Sequence, residues 1–413
     1  MAEAAAQPVM ARWSPAFRRF YAAQSVSSLG GALSRFALPL LVYQMTGSAM
    51  QLAVITAAQY LPYLCFGLLI GAWVDRLDRR RLMLLADLLR APLLLSLPLL
   101  WHAGMLALWW VYLTAFLVSA FGILFNAAEF AALPALVPRA LLARANGRIQ
   151  ASYALMNVLG PILGGVVQGS VALPLLFVAH ALCCLVSAWS VATIRIDRAG
   201  RGAGAGAGIL GEIGAGLRYV WRDPVLRAVS LLLAGLNFLT GSVSAQLVLF
   251  SKEVLRASDM QLGVLLAAGS VGAALFALAA QWCIRRVAPG HLILLTVGLH
   301  GLTLVGFAAS ASFWLSVALW GATNGLVVLC GIAARLLRQA SVPNELLGRV
   351  ITVAEVLAWS AIPFGTLLGA ALLRQPSQVV ALYMGIGAAV MLLAGAFSLS
   401  PLGRKQLITQ EVC

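Results

Sequence analysis

Five ionisable side chains sit deep inside long apolar stretches of this sequence: Arg35, Asp87, Arg90, Glu129 and Glu355. A lone charge at the centre of a bilayer costs about 2.5–3.5 kcal/mol or more, so in lipid each would need a partner or a wet cavity. Asp87 and Arg90 stand three apart, where side chains on one helix meet, so they pair with each other or with the charges of the cytoplasmic latch described below, chiefly a structural role. Arg35 lies beside Ser27, Ser28, Gly30, Gly31 and Ser34, a face too polar for lipid. Its planar fork of donors suits an anion or an oxygen-rich ligand, and a structural role is the other reading. Glu355 also has two readings: a carboxyl that loads and releases a proton as its cavity gains and loses water, or a fixed partner of Arg35 or of a backbone group. Asn237, Thr240, Ser244 and Gln246, with Asn126, Asn157 and Asn324, can either line a cavity or bond helix to helix. The candidate ligand contacts are therefore Arg35, Asn237, Thr240 and Glu355. His180 and His300 are isolated in apolar runs and read as satisfied buried groups.

Catalytic patterns are missing. A phosphate-binding loop needs Gly-Lys-Ser/Thr, yet the two lysines, Lys252 and Lys405, follow Ser251 and Arg404. There is no His-Glu-x-x-His, no Gly-x-Ser-x-Gly and no paired metal-ligand cluster. Of six cysteines, five lie in apolar runs without metal or disulfide spacing. The chain reads as a non-enzyme without a cofactor or metal.

The elements that must position these residues follow from composition. Of 413 residues, 62% are hydrophobic and 10% charged, with mean hydropathy +0.95. Soluble domains carry about 25% charged residues, so the solvent here is lipid. A spanning helix needs roughly 20 apolar residues, and this length accommodates about twelve with their loops. Barrel strands would alternate polar and apolar residues; runs such as Leu93–Leu95 and Leu231–Leu233 do not. Helices are expected near 17–43, 49–72, 82–102, 106–131, 147–169, 172–194, 225–250, 259–282, 290–310, 313–336, 347–373 and 378–400. The net charge of +15 could suggest nucleic acid, but the arginines cluster in every second loop, as the positive-inside rule requires. That places both termini in the cytoplasm, and no removable signal peptide is expected.

The one long loop contains the low-complexity run 198–208, a flexible linker by composition. After it Ile209, Ile213, Leu217, Val220 and Trp221 recur at helical spacing against Glu212, Arg218 and Arg222, the pattern of a short interfacial helix. The expected organisation is a six-helix bundle over 1–195, a linker over 196–224 and a second six-helix bundle over 225–413. The halves resemble each other. Ser48, Met50, Gln51, Leu52, Val54, Ala57 and Ala58 recur 210 positions later, and Val137-Pro138 with Gly147-Arg148 is echoed by Val342-Pro343 with Gly348-Arg349. Gly160-Pro161-x-x-Gly164 has a looser echo in Pro363-x-Gly365-x-x-x-Gly369. Two parallel repeats are an architecture of secondary transporters, with a site near the midplane between them.

Gly71-Ala-Trp-Val-Asp75-Arg76-Leu-Asp-Arg79-Arg80, in the loop after the second run, resembles the G-x-x-x-D-R-x-G-R-R signature of the major facilitator superfamily, with Asp78 in place of the second glycine. Asp75 and Arg79 are four apart and within reach on a helix. The resemblance implies a cytoplasmic gate of Gly71, Asp75, Arg76, Arg79 and Arg80, completed by a carboxylate on helix four, for which Glu129 is the candidate. Such a latch locks the outward-facing state. Gly160, Pro161, Gly164 and Gly165 resemble the family's G-P-x-x-G-G motif, associated with exporters. With Ala37 to Ser48, Asp87 to Arg90, Gly216 to Tyr219 and Leu347 to Arg349, the chain looks like the branch containing enterobactin-type siderophore exporters and macrolide efflux pumps. What this implies is an all-helical fold of twelve spans in two pseudo-symmetric halves. It further implies a monomer in a bacterial inner membrane that exports a small polar or amphiphilic cargo by proton-coupled alternating access. Arg35 tilts the cargo towards a siderophore. A multidrug or macrolide pump is the alternative, and a lipid transporter on the same fold a further one.

Overall fold

The computed structural model describes residues 13–138, 141–168, 173–194 and 209–404, and the regular elements among them are helices. The first six are α1 (Pro15–Thr46), α2 (Ala49–Arg76), α3 (Arg79–His102), α4 (Leu108–Leu136), α5 (Leu142–Gln168) and α6 (Leu175–Thr193). After α7 (Ile209–Arg222) come α8 (Pro224–Ala245), α9 (Leu247–Glu253), α10 (Asp259–Arg286), α11 (Pro289–Ala309), α12 (Phe313–Ser341), α13 (Asn344–Leu372), α14 (Val379–Ser398) and α15 (Pro401–Arg404). Among the described residues twelve helices are long and apolar enough to cross a membrane. Their outer faces expose Leu278, Leu392, Trp314 and Trp189, which in water would be an aggregation surface and in a bilayer is the ordinary solvent contact.

Two bundles pack by the same rule. In the first, α1 contacts α5 and α6, α2 contacts α4, and α3 contacts α4 and α6; in the second, α8 contacts α13 and α14, α10 contacts α12, and α11 contacts α12 and α14. Each pairing has its counterpart. The seams between the bundles, α2 with α13 and α5 with α10, are also exchanged by that correspondence. The fold is thus two pseudo-symmetric six-helix halves.

The residues repeated along the chain are the punctuation of these helices. Ser48 caps α2 by accepting from the Gln51 N–H, and Ser258 caps α10 by accepting from the Gln261 N–H while the Gln261 side chain accepts from the Ser258 N–H. Such caps satisfy backbone donors that a helix start leaves orphaned. Val137 and Val342 are the extended residues that end α4 and α12. Asp78 accepts from the Arg81 N–H as N-cap of α3, a use of the departure from glycine at that position.

The boundaries differ from the sequence expectation in two ways. The run 225–250 is broken at Gln246, whose backbone closes α8 and whose side chain donates to the Ala49 carbonyl at 2.8 Å; hydropathy is blind to such a bond. Several spans also continue past the apolar run at the arginine-rich end. α10 reaches Arg286, whose guanidinium lies 4.1 Å from the centre of the Trp282 ring, because arginine stems extend a helix beyond the hydrocarbon. The run 198–208 lies outside the described residues. α7 forms where the amphipathic pattern places it: Val220 is buried with Leu226, Val342 and Val350, while Leu217 and Trp221 are exposed beside Arg218 and Arg222. The side chains of Ile209, Glu212 and Ile213 lie outside the described residues.

Candidate functional site

Because successive spans alternate in direction, the arginine-bearing ends of α2, α3, α10 and α12 share one face of the bundle, and the loops at Gly47, Gly104 and Ser310 share the opposite, arginine-poor face. A cavity of about 380 Å³ lies within the first bundle, walled by α1, α2, α4 and α5 with Arg90 from α3 and His180 from α6. Along α1 its lining runs from Gln24 to Leu38, centred on the middle of the helix.

Arg35 faces this space. It stands past the middle of α1 yet is exposed, because its head points into the cavity, where its guanidinium donates to Oδ1 of Asn157 on α5. Opposite are Tyr60 and Tyr63, three apart on α2 and therefore on one face. Both stack on Trp359 of α13, with ring centres 5.8 and 5.7 Å apart and planes at 13° and 19°. A ring from the second half thus backs the cavity wall at the seam. Asn126 lines the same space.

Two charged groups border the cavity from behind. Arg90 is paired with Asp87, both buried, with its guanidinium 5.2 Å from the centre of the Phe125 ring. This is the mutual pairing that their spacing suggests. Since Asp87 balances Arg90, Arg35 is the net charge among the residues lining the cavity. Glu129 is buried on α4, and the hydroxyl of Tyr153 on α5, itself a lining residue, lies 2.6 Å from both carboxylate oxygens. His180 is buried and bonded to Ser34 at 2.7 Å, and His300 to the Thr323 carbonyl at 3.1 Å.

The other candidates lie elsewhere. Asn237 donates to the Ala358 carbonyl at 2.9 Å, bonding α8 to α13, and Thr240 donates to the Leu236 carbonyl of its own helix at 2.8 Å. Glu355 on α13 lies 3.9 Å from Arg335 on α12, and both side chains are substantially exposed. None of these three lines the cavity with Arg35. Of the gate residues, Arg79 donates to the Ala131 carbonyl of α4 at 2.8 Å, Arg80 to the Val191 and Ala192 carbonyls at the end of α6, and Arg76 is exposed. Gly71 and Asp75 belong to the helical backbone of α2, but their side chains lie outside the described residues.

The glycine motif on α5 sits where three helices meet. A Cβ on Gly160 would lie 2.4 Å from Ala32 Cβ, and one on Gly164 2.7 Å from the Phe36 ring, so α5 presses on α1. On the other side a Cβ on Gly165 would lie 2.7 Å from the Asp259 carbonyl oxygen, and one on Gly263 2.3 Å from that of Pro161. This joins α5 to α10 across the halves near the arginine-poor end. At the same end the Tyr43 hydroxyl donates to Glu253 at 2.7 Å, and Gln246 donates to Ala49. Sequence reasoning missed Tyr60, Tyr63, Tyr153 and Trp359. The Tyr-x-x-Tyr spacing was a usable signal; the partners of Tyr153 and Trp359 are set by tertiary packing.

Comparison with known proteins agrees with this fold. The profile of the Major Facilitator Superfamily matches residues 20–366. Multidrug efflux pump Tap of Mycolicibacterium fortuitum is 30% identical over 374 residues, covering 82% of this chain and 84% of the relative. Macrolide efflux protein A of Streptococcus pyogenes is 26% identical over 365 residues, covering 87% and 89%. Among solved structures, the nucleoside transporter NupG superposes with a TM-score of 0.77 at 9% identity over 95% of this chain and all of that one, a likeness of fold.

Proposed function

The chain belongs to the Major Facilitator Superfamily, a family of multi-pass membrane transporters rather than enzymes, and from that premise we propose that it exports a small molecule from the cytoplasm by proton-coupled alternating access. The observation that carries the reading is the mid-span cavity around Arg35, together with the contacts of Gly165, Gly263, Tyr43 and Gln246 that hold the halves together at the arginine-poor end. With the arginine-rich end cytoplasmic, this is an inward-facing, cargo-loading state. In this reading the gate around Asp75 and Arg79 locks the opposite state, and the bond from Arg79 to the Ala131 carbonyl ties the start of α3 to α4 beside it. Glu355 and Glu129 are carboxyls within the spans that could couple protons.

Two cargo classes remain in view. Arg35, as the net charge of the cavity, favours an acidic or oxygen-rich metabolite of the siderophore kind, held by a bidentate fork. The efflux pumps named above favour a drug, and the aromatic wall of Tyr60 and Tyr63 supplies apolar contact for one. Inside-out vesicles carrying the protein, energised to an acid interior, separate these: accumulation of a ferric catecholate supports the first class and accumulation of erythromycin the second. Accumulation that survives collapse of the proton gradient removes the coupling.

A further inference from the structure

We propose that Glu129 is a proton-binding site of this protein, loaded and emptied through the hydroxyl of Tyr153 from the cavity that holds Arg35. The assignment rests on the transport reading above and deepens it by naming the coupling group.

Glu129 is 5% exposed, seven residues before the arginine-rich end of the spanning helix α4. Among the described residues no lysine, arginine or histidine stands within ion-pair distance of its carboxyl group. Among the described residues its one hydrogen-bonding partner is Tyr153, 2.6 Å from each oxygen. A buried ionised carboxylate needs a cation or several donors, and one hydroxyl shared between two oxygens does not supply them. The arrangement suits a neutral carboxyl, which needs no counter-ion in hydrocarbon.

The surroundings permit the ionised form to be reached. From α3, Asp87 and Arg90 lie within electrostatic range of Glu129, and from α5 so does Tyr153. α2 contributes apolar Ile70 and Val74 to the cluster around Ala128 and Ala132, and Arg79 is engaged two residues away on the Ala131 carbonyl. Arg90 is at once the partner of Asp87 and a cavity-lining residue. It is therefore the cation to which a newly formed Glu129 carboxylate would turn. Discharge moves one proton. Tyr153 passes its hydroxyl proton to solvent in the cavity as its oxygen accepts the proton leaving Glu129, so the phenol is unchanged and the carboxylate and one solvated proton are the products. Loading is the reverse. The route opens on the space that cargo would fill beside Arg35, which lets cargo and proton compete.

Infrared difference spectroscopy of the full chain in lipid nanodiscs, between mildly acidic and alkaline solution, tests this. The wild type is expected to show a protonated-carboxyl stretching band that Glu129→Gln removes, Glu129→Asp shifts in frequency, and Glu355→Gln leaves in place. On transfer to deuterated buffer the band should move at least tenfold more slowly in Tyr153→Phe than in the wild type. A band that persists in Glu129→Gln, or that Glu355→Gln abolishes, overturns the assignment, and unaltered exchange in Tyr153→Phe overturns the route. Should Glu129→Gln fail to fold, the frequency shift in Glu129→Asp decides the question. If the band behaves as expected while vesicle transport ignores the proton gradient, the coupling reading falls and the proton site stands.

Discussion

Adding one methyl group at Gly263 should drive the protein towards its outward-facing state. A Cβ there would sit 2.3 Å from the Pro161 carbonyl oxygen, on the seam between α5 and α10. Ordinary contact begins at 3.4 Å, so the two backbones must part by about 1 Å, and backbone cannot rotate away as a side chain would. Overpacking of this kind costs roughly 1–3 kcal/mol. The cost falls only on the conformation in which the arginine-poor end is closed, which converts it into a shift of about 5- to 150-fold in the ratio of the two states. Spin labels at Met105→Cys and Ala311→Cys, exposed loop positions of opposite halves on that face, report the separation by pulsed electron resonance in a cysteine-free background. Gly263→Ala should enlarge the long-distance population and slow turnover. Gly298→Ala, whose added carbon would meet Ala394 at an ordinary 3.9 Å, should do neither. Identical distance distributions for wild type and Gly263→Ala would refute the idea that this seam opens.

Arg35→Ala removes a charged donor from the cavity and should weaken an acidic cargo by about 10- to 100-fold, the loss of one or two charge-assisted hydrogen bonds, read by tryptophan fluorescence titration with a ferric catecholate; unchanged affinity would take Arg35 out of the site. Tyr43→Phe deletes the bond to Glu253 and should shift the labelled loops in the same direction as Gly263→Ala, by no more than about tenfold. Ser258→Ala removes the cap of α10 and should destabilise the protein by about 0.5–2 kcal/mol, visible as a lower midpoint in thermal unfolding, with transport retained at permissive temperature.

The fold was legible because a bilayer admits few solutions: about 20 apolar residues per crossing, satisfied backbone, and arginine on alternate loops. The internal repeat was legible because Ser48 with Gln51, and Ser258 with Gln261, are polar residues retained for capping, which lipid-facing positions do not preserve by accident of composition. Arg35 stood out because serine and glycine surround it on one helical face. What stayed hidden depended on a second helix. Whether Glu355 meets Arg35 or Arg335 is decided by the packing of α12 on α13, and Asn237 spends its amide on the Ala358 carbonyl in a way hydropathy cannot display. Aromatic residues in apolar runs carry no mark that separates a cavity wall, as at Tyr153, from a lipid contact, as at Trp189.

In the proposed cycle one cavity meets the two sides of the membrane in turn, driven by protons. Reconstituted protein in vesicles, with a pH gradient imposed in either direction and both cargo and interior pH followed together, tests it most directly. Cargo should move against its own gradient while protons move the opposite way, with reversal when the pH gradient is reversed. Cargo flux that is indifferent to the sign of that gradient, or that runs only downhill, would contradict it.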